Sequence, residues 1–183
     1  MLEINNLSVS LIKDDRPLFT NLSLTINKGE KVALISEEGN GKSTLLKLIN
    51  GETMEHLLVK GQIKTHQLLL GYLPQTLERQ ERSVMEYFSE SLPDLYQDYG
   101  SFLARLQHFG LPEDLLNRSA MSTLSGGERI KCQLIVLELL KPDIYLLDEP
   151  SNDIDLKTIY WLEEFILKLE QPLLFVSHDE LLI

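Results

Sequence analysis

The sequence predicts an α/β fold in which a mostly parallel sheet carries a phosphate-binding loop, with an amino-terminal antiparallel β-subdomain before it and a helical subdomain inserted into it. Three observations predict it. The apolar run Val32-Ala33-Leu34-Ile35 leads through a glycine-containing loop into the helical pattern Leu45-Leu46-Lys47-Leu48-Ile49, the strand, loop and helix order of a phosphate cradle. Two further apolar runs, Ile144-Tyr145-Leu146-Leu147 and Leu173-Leu174-Phe175-Val176, are each preceded by a long helical pattern, as buried parallel strands are. The amino end alternates apolar and polar residues, and a central stretch carries aromatic residues at helical spacing.

In chain order, Leu2 to Val9 and Phe19 to Ile26 alternate, with Lys13-Asp14-Asp15-Arg16-Pro17 between them, which reads as an antiparallel hairpin. Asn27-Lys28-Gly29-Glu30 is a second turn, and Gly51 stops the first helix. Gly61-Gln62-Ile63 and Leu69-Leu70-Gly71-Tyr72-Leu73 are short strand candidates, the second ended by Pro74-Gln75. Val84, Tyr87, Phe88 and Leu92, then Phe102, Leu103, Leu106 and Phe109, recur along helix faces and read as core. A long helix through Ile130, Leu134, Leu137 and Leu140 ends at Pro142. Another, from about Leu156 to Glu170, carries Ile159, Leu162, Ile166 and Leu169 and ends at Pro172.

A chain of 183 residues, 43% hydrophobic, suits one domain with a sizeable core. Its net charge of −11 argues against a broad basic surface for nucleic acid. Cys132 is the single cysteine, so neither an intrachain disulfide nor a cysteine metal cluster is possible. The amino end does not resemble a signal peptide, and no apolar run nears the ~18 residues that span a bilayer. A soluble, cytoplasmic protein is expected.

The loop Ser36-Glu37-Glu38-Gly39-Asn40-Gly41-Lys42-Ser43-Thr44 matches the P-loop pattern G-x-x-x-x-G-K-[ST], with Ser36 in place of the first glycine. Gly39 and Gly41 let backbone N–H groups turn toward a polyphosphate, the new helix adds the positive end of its dipole, and Lys42 reaches the terminal phosphates. Ser43 is placed to ligate Mg²⁺. Asp148 and Glu149 follow a buried strand at its carboxyl end, where open α/β sheets bind ligands. One acid there can hold Mg²⁺ while its neighbour takes a proton from water. His178 follows the next buried strand in the same way, whereas His56, His66 and His108 read as structural or solvated. In Leu124-Ser125-Gly126-Gly127-Glu128, two glycines at a helix start again offer N–H groups to an anion.

In this order the motifs resemble the ATP-binding cassette (ABC) family over essentially the whole chain. Lys42, Ser43 and Thr44 match its Walker A motif, Gln75 its Q-loop, Leu124 to Glu128 its signature, Ile144 to Glu149 its Walker B, Ser151 to Asp155 its D-loop, and His178 its H-loop. The resemblance implies a P-loop ATPase cassette that binds ATP and Mg²⁺ and hydrolyses the γ-phosphate. Ser36, Gly39, Asn40, Gly41, Lys42, Ser43 and Thr44 would hold the nucleotide. Ser43, Gln75 and Asp148 would hold the metal, Asp148 through water; Glu149 would be the general base; His178 would hydrogen-bond the γ-phosphate; Gln75, with these two, would complete the catalytic set. The signature residues Ser125, Gly126, Gly127 and Glu128 would serve the ATP of a second cassette arranged head to tail. A lone cassette should therefore bind nucleotide but turn it over poorly. The implied division is a core of residues 1–76 and 124–183 with a helical subdomain at 77–123.

Three departures from the family pattern carry expectations. The aromatic that stacks adenine near the end of the first strand is replaced by Ser10-Leu11-Ile12, so weaker or less base-selective binding is expected. Ser36 is the second. The third is that Ile183 follows closely on His178, where the family continues: a trimmed fold or part of a longer protein. Gly71-Tyr72-Leu73-Pro74-Gln75, Trp161-Leu162-Glu163-Glu164-Phe165 and Val176-Ser177-His178-Asp179 resemble the ABC-F group, soluble twin-cassette proteins acting on the ribosome. That resemblance implies the amino-terminal cassette of a translation or antibiotic-resistance ATPase, with the ribosome as partner. That group's D-loop usually reads Thr-Asn-His-Leu-Asp, so Asp153 puts an acid where histidine is expected. The alternatives are the ATP-binding subunit of a membrane transporter, which alone would need a membrane partner, and a nucleotide-binding module with little turnover.

Overall fold

A computed structural model describes residues 1–35, 41–76 and 81–178 of the chain. Ser36, Gly39 and Asn40 lie outside the described residues. Strands β1 (Leu2–Leu11) and β2 (Pro17–Ile26) form the expected antiparallel hairpin, Leu2 facing Ile26. After β3 (Lys31–Ile35) and helix α1 (Lys42–Ile49), strand β4 (Leu57–Lys64) pairs antiparallel with the other edge of β1, so the hairpin is really a three-stranded sheet, β2-β1-β4. β4 is longer than the Gly61-centred candidate. Its outer residues Leu58 and Val59 are more than 40% exposed, which hides the apolar-in, polar-out alternation that marks a half-buried strand.

The second sheet has the order β3-β7-β6-β5, where β5 is Leu70–Leu73, β6 Ile144–Asp148 and β7 Leu173–Ser177, and every pairing in it is parallel. Both faces of its central strands are covered, which is why they read as unbroken apolar runs. Tyr145, Leu147, Leu173 and Phe175 pack on one side with the helices α2 (Val84–Ser91), α3 (Tyr99–His108), α4 (Gly126–Leu140) and α5 (Leu156–Lys168). The alternate residues Ile144, Leu146, Leu174 and Val176 pack on the other with α1 and the antiparallel sheet.

The aromatic residues of the helical stretch are core, as expected: Phe88, Phe102 and Phe109 are buried, and Phe88 meets Phe102 edge-on at 4.8 Å. Helix α4 departs from a single-stripe reading, since Cys132, Gln133, Ile135 and Val136 are buried along with Leu134 and Leu137, while Leu140 is 43% exposed. A helix buried on several faces belongs to the interior. Burial pushes the Cys132 thiol up to about 12, which leaves it a packing residue and not a nucleophile. Among the described residues no helix is long and apolar enough to cross a membrane.

Candidate nucleotide site

Because all four strands of the second sheet run the same way, the chain leaves each of them at one edge. There β5 runs into Pro74 and Gln75, β6 into Glu149 and β7 into His178, and α1 begins beside them at Lys42. Gly41 caps α1 in the left-handed region, φ +78°, and a Cβ on it would lie 2.9 Å from Leu18 Cβ. Both the turn and the close approach of the hairpin require glycine there.

The first turn of α1 is tied to the end of β6. Ser43 donates its hydroxyl hydrogen bond to Asp148 Oδ1 at 2.8 Å, and Tyr72 on β5, level with Leu146, donates to Oδ2 at 3.3 Å. Asp148 is 1% exposed. Burial raises its carboxyl above the ordinary value; the Ser43 and Tyr72 hydrogen bonds partly oppose that, and neighbouring Glu149 adds to it. Glu149, 7% exposed, has φ +49° and is held by its backbone N–H donating to the Val176 carbonyl at 2.9 Å. Its carboxylate accepts from the His178 backbone N–H at 3.2 Å, with His178 Nδ1 at 2.8 Å and Lys42 Nζ at 3.8 Å.

These groups line a cleft of about 460 Å³, within the range of small-molecule sites. Gly41, Lys42, Ser43, Thr44, Gln75, Glu149 and His178 all face it. Asp148 lies beneath, in contact through Ser43. The donor set fits Mg²⁺, which keeps several waters and is bound by one or two carboxylates together with substrate phosphates. Among the described residues no group of three or more His, Cys, Asp or Glu could hold a metal ion.

The signature residues do not line that cleft, although Gly126 lines a smaller neighbouring cavity with Gln75 and Glu149. Ser125 caps α4 in a reciprocal box: Glu128 N–H donates to Ser125 Oγ at 3.2 Å, and Glu128 Oε2 accepts from Ser125 N–H at 2.8 Å and from its hydroxyl at 2.9 Å. Gly126 lies against the Asp153 carbonyl and Gly127 against Thr158. None of Ser125, Gly126, Gly127 and Glu128 lines the cleft.

Sequence reasoning missed four residues here. Leu18, His56 and Leu57 face the cleft and Tyr72 grips Asp148. Tyr72 sits one strand away from Asp148 in the sheet, and only the parallel pairing of β5 with β6 shows it. His56, read as structural or solvated, is exposed yet lines the cleft beside Leu11 and Leu57.

The buried acid makes a stability prediction. Since the folded value of Asp148 lies above its unfolded one, the charged carboxylate costs nothing below the unfolded value near 3.8 and more as pH rises through the folded one. Asp148→Asn is expected to melt above the parent protein at pH 7, without nucleotide or metal, by about 2–4 °C for each kcal/mol recovered. The gain should vanish below pH 3.8. Equal melting curves for the two proteins across this range would refute the burial cost.

The family model for ABC transporters matches residues 19–152. Among curated proteins, ABC transporter F family member 2 of Arabidopsis thaliana is 36% identical over 171 residues, 91% of this chain and 24% of that one. The tylosin resistance ATP-binding protein TlrC of Streptomyces fradiae is 30% identical over 214 residues, 91% of this chain and 38% of that one. The chain thus spans well under half the length of these relatives. Among solved structures, a dimeric ATP-binding cassette in a post-hydrolysis state with ADP and Pi superposes with a TM-score of 0.77 at 21% identity, covering 100% of this chain and 90% of that one. With the family model spanning most of the chain and a P-loop helix, paired acids and a histidine meeting at one sheet edge, the protein belongs to the ABC transporter family and is an ATP-binding cassette of it.

Proposed function

We propose that this cassette binds and hydrolyses Mg-ATP as one half of a head-to-tail pair, within an ABC-F-like ATPase of translation or antibiotic resistance that works on the ribosome. The observation carrying the reading is the convergence of Lys42, Ser43, Asp148, Glu149 and His178 at one sheet edge. Lys42 neutralises the β- and γ-phosphates, with Gly41 and Thr44, and with Ser36, Gly39 and Asn40 before them, completing the nucleotide loop. Ser43, Gln75 and Asp148 hold Mg²⁺, which when bound offsets charge on the phosphate oxygens. Glu149 takes the proton of the attacking water, and His178 and Gln75 orient the γ-phosphate and that water. Ser125, Gly126, Gly127 and Glu128 serve the nucleotide of the second cassette. Residues 77–123 form a helical subdomain inserted in a core of 1–76 and 124–183. The ABC-F reading is favoured by relatives named for the F family and for tylosin resistance.

Glu149 is paired with His178 and Lys42, the two groups assigned to the phosphates. ATP has to draw both away, which leaves the base free to meet water only when nucleotide is in place.

The test is the mass in solution of Glu149→Gln, measured by light scattering behind a sizing column with and without Mg-ATP. An ATP-dependent doubling of the 21.0 kDa protein is expected. A monomer that binds ATP would show that two copies of this chain do not form the pair, and would place the second cassette on another part of a longer protein or on another chain. No ATP binding by either the parent or the variant would overturn the whole reading.

A further inference from the structure

We propose that His56 is the nucleobase contact of the cleft, its imidazole stacking on the purine while Leu11, Leu18 and Leu57 pack around the remainder. The proposal rests on the reading that the cleft takes a nucleoside triphosphate. The cleft is built from chemically unlike parts: Lys42, Ser43, Glu149 and His178 come from α1 and the parallel sheet edge, whereas Leu11, Leu18, His56 and Leu57 come from the antiparallel sheet and the turn leading into it. The charged part suits phosphates. Apart from His56, the apolar part offers no side-chain group for them, yet it is continuous with the same cleft, as a seat for the other end of the ligand would be.

His56 is held there by its backbone. Its carbonyl accepts from Ile12 N–H at 3.0 Å, tying it to the end of β1, and the next residue, Leu57, pairs with Leu11. Its side chain is exposed and makes no hydrogen bond or ion pair among the described residues, so the ring can turn onto a ligand without breaking one. Leucines supply dispersion contact but not a flat π-face. Among the described residues two rings line the cleft, and the other, His178, stands 2.8 Å from Glu149. Imidazole is among the side chains on which bases stack. A stack engages the face of a base and not its edge, so it holds adenine and guanine with similar strength.

The experiment compares binding of Mg-ATP, Mg-GTP and Mg-tripolyphosphate, which lacks base and sugar, to the parent protein, His56→Ala and His56→Phe by calorimetric titration. His56→Ala is expected to bind both nucleotides about fivefold to tenfold more weakly, the lower part of the range for losing a stacking ring, and to bind tripolyphosphate as the parent does. His56→Phe should bind both nucleotides at least as well as the parent, and in the parent the ATP and GTP affinities should agree to about threefold. Unchanged nucleotide affinity in His56→Ala, or an equal loss for nucleotides and tripolyphosphate, would overturn the assignment. Parent protein that binds tripolyphosphate no more weakly than ATP would also overturn it while leaving the phosphate site standing. If neither ligand binds the parent, the nucleotide reading itself fails and this one with it.

Discussion

Glu149→Gln is expected to lower ATP turnover by about 10²- to 10³-fold, in the range found for removing a positioned general base, while ATP affinity stays level or rises. Glutamine keeps the shape of the side chain and the backbone bond from Glu149 N–H to the Val176 carbonyl, but it takes no proton from water. Affinity should not fall because the carboxylate lies 2.8 Å from His178 Nδ1 and 3.8 Å from Lys42 Nζ. Removing its charge takes away one competitor of the phosphates for these two groups. The assay is steady-state phosphate release beside equilibrium ATP binding, with parent and variant in the same oligomeric form. A loss of turnover under tenfold would take the base role from Glu149. A parallel collapse of ATP affinity would mean that the residue holds the site together.

The site residues that share a chain-local pattern were legible before any fold was known. Lys42, Ser43 and Thr44 follow a strand and a glycine loop, and Asp148, Glu149 and His178 follow apolar runs whose direction is set by the helices between them. A parallel sheet converts that shared sequence context into a shared edge, and the bond from Ser43 to Asp148 spans 105 residues on that account. His56 and Tyr72 have no such local mark. Their positions depend on which strand lies beside which, β4 against β1 and β5 against β6, and each pairing closes a long stretch of chain. The third strand of the antiparallel sheet was hidden for a related reason: its exposed Leu58 and Val59 blur the period of two on which strand reading rests. The tight seat of Gly126 is likewise tertiary, since the atom it touches belongs to a loop reached only after the whole of α4 and β6.

That seat carries the other large effect. Gly126→Ala is expected to destabilise the protein by roughly 1–3 kcal/mol, the usual cost of forcing a methyl into a packed site. By helix propensity alone the change should help, because alanine is the better helix former. Contact decides against it. The added Cβ would overlap the carbonyl oxygen of Asp153, and a backbone atom has no rotamer by which to withdraw. Relief therefore has to come from shifting residues 151–155. That segment donates from Asn152 N–H to the Glu149 carbonyl at 3.1 Å and ends in Asp155, whose carboxylate caps α5 by accepting from Thr158 N–H at 2.7 Å. A shift strains both the cap and the residue that bears the base. For a chain of this length the loss corresponds to a fall of about 2–12 °C in melting temperature, read by circular dichroism. Gly127→Ala is the comparison: its Cβ would meet the Thr158 hydroxyl at 2.6 Å and its methyl at 3.3 Å, a milder overlap than that of Gly126 with a backbone carbonyl, so a smaller fall is expected. Equal melting temperatures for Gly126→Ala and the parent would show that the 151–155 segment gives way freely and that the Asp153 carbonyl is no barrier to a Cβ.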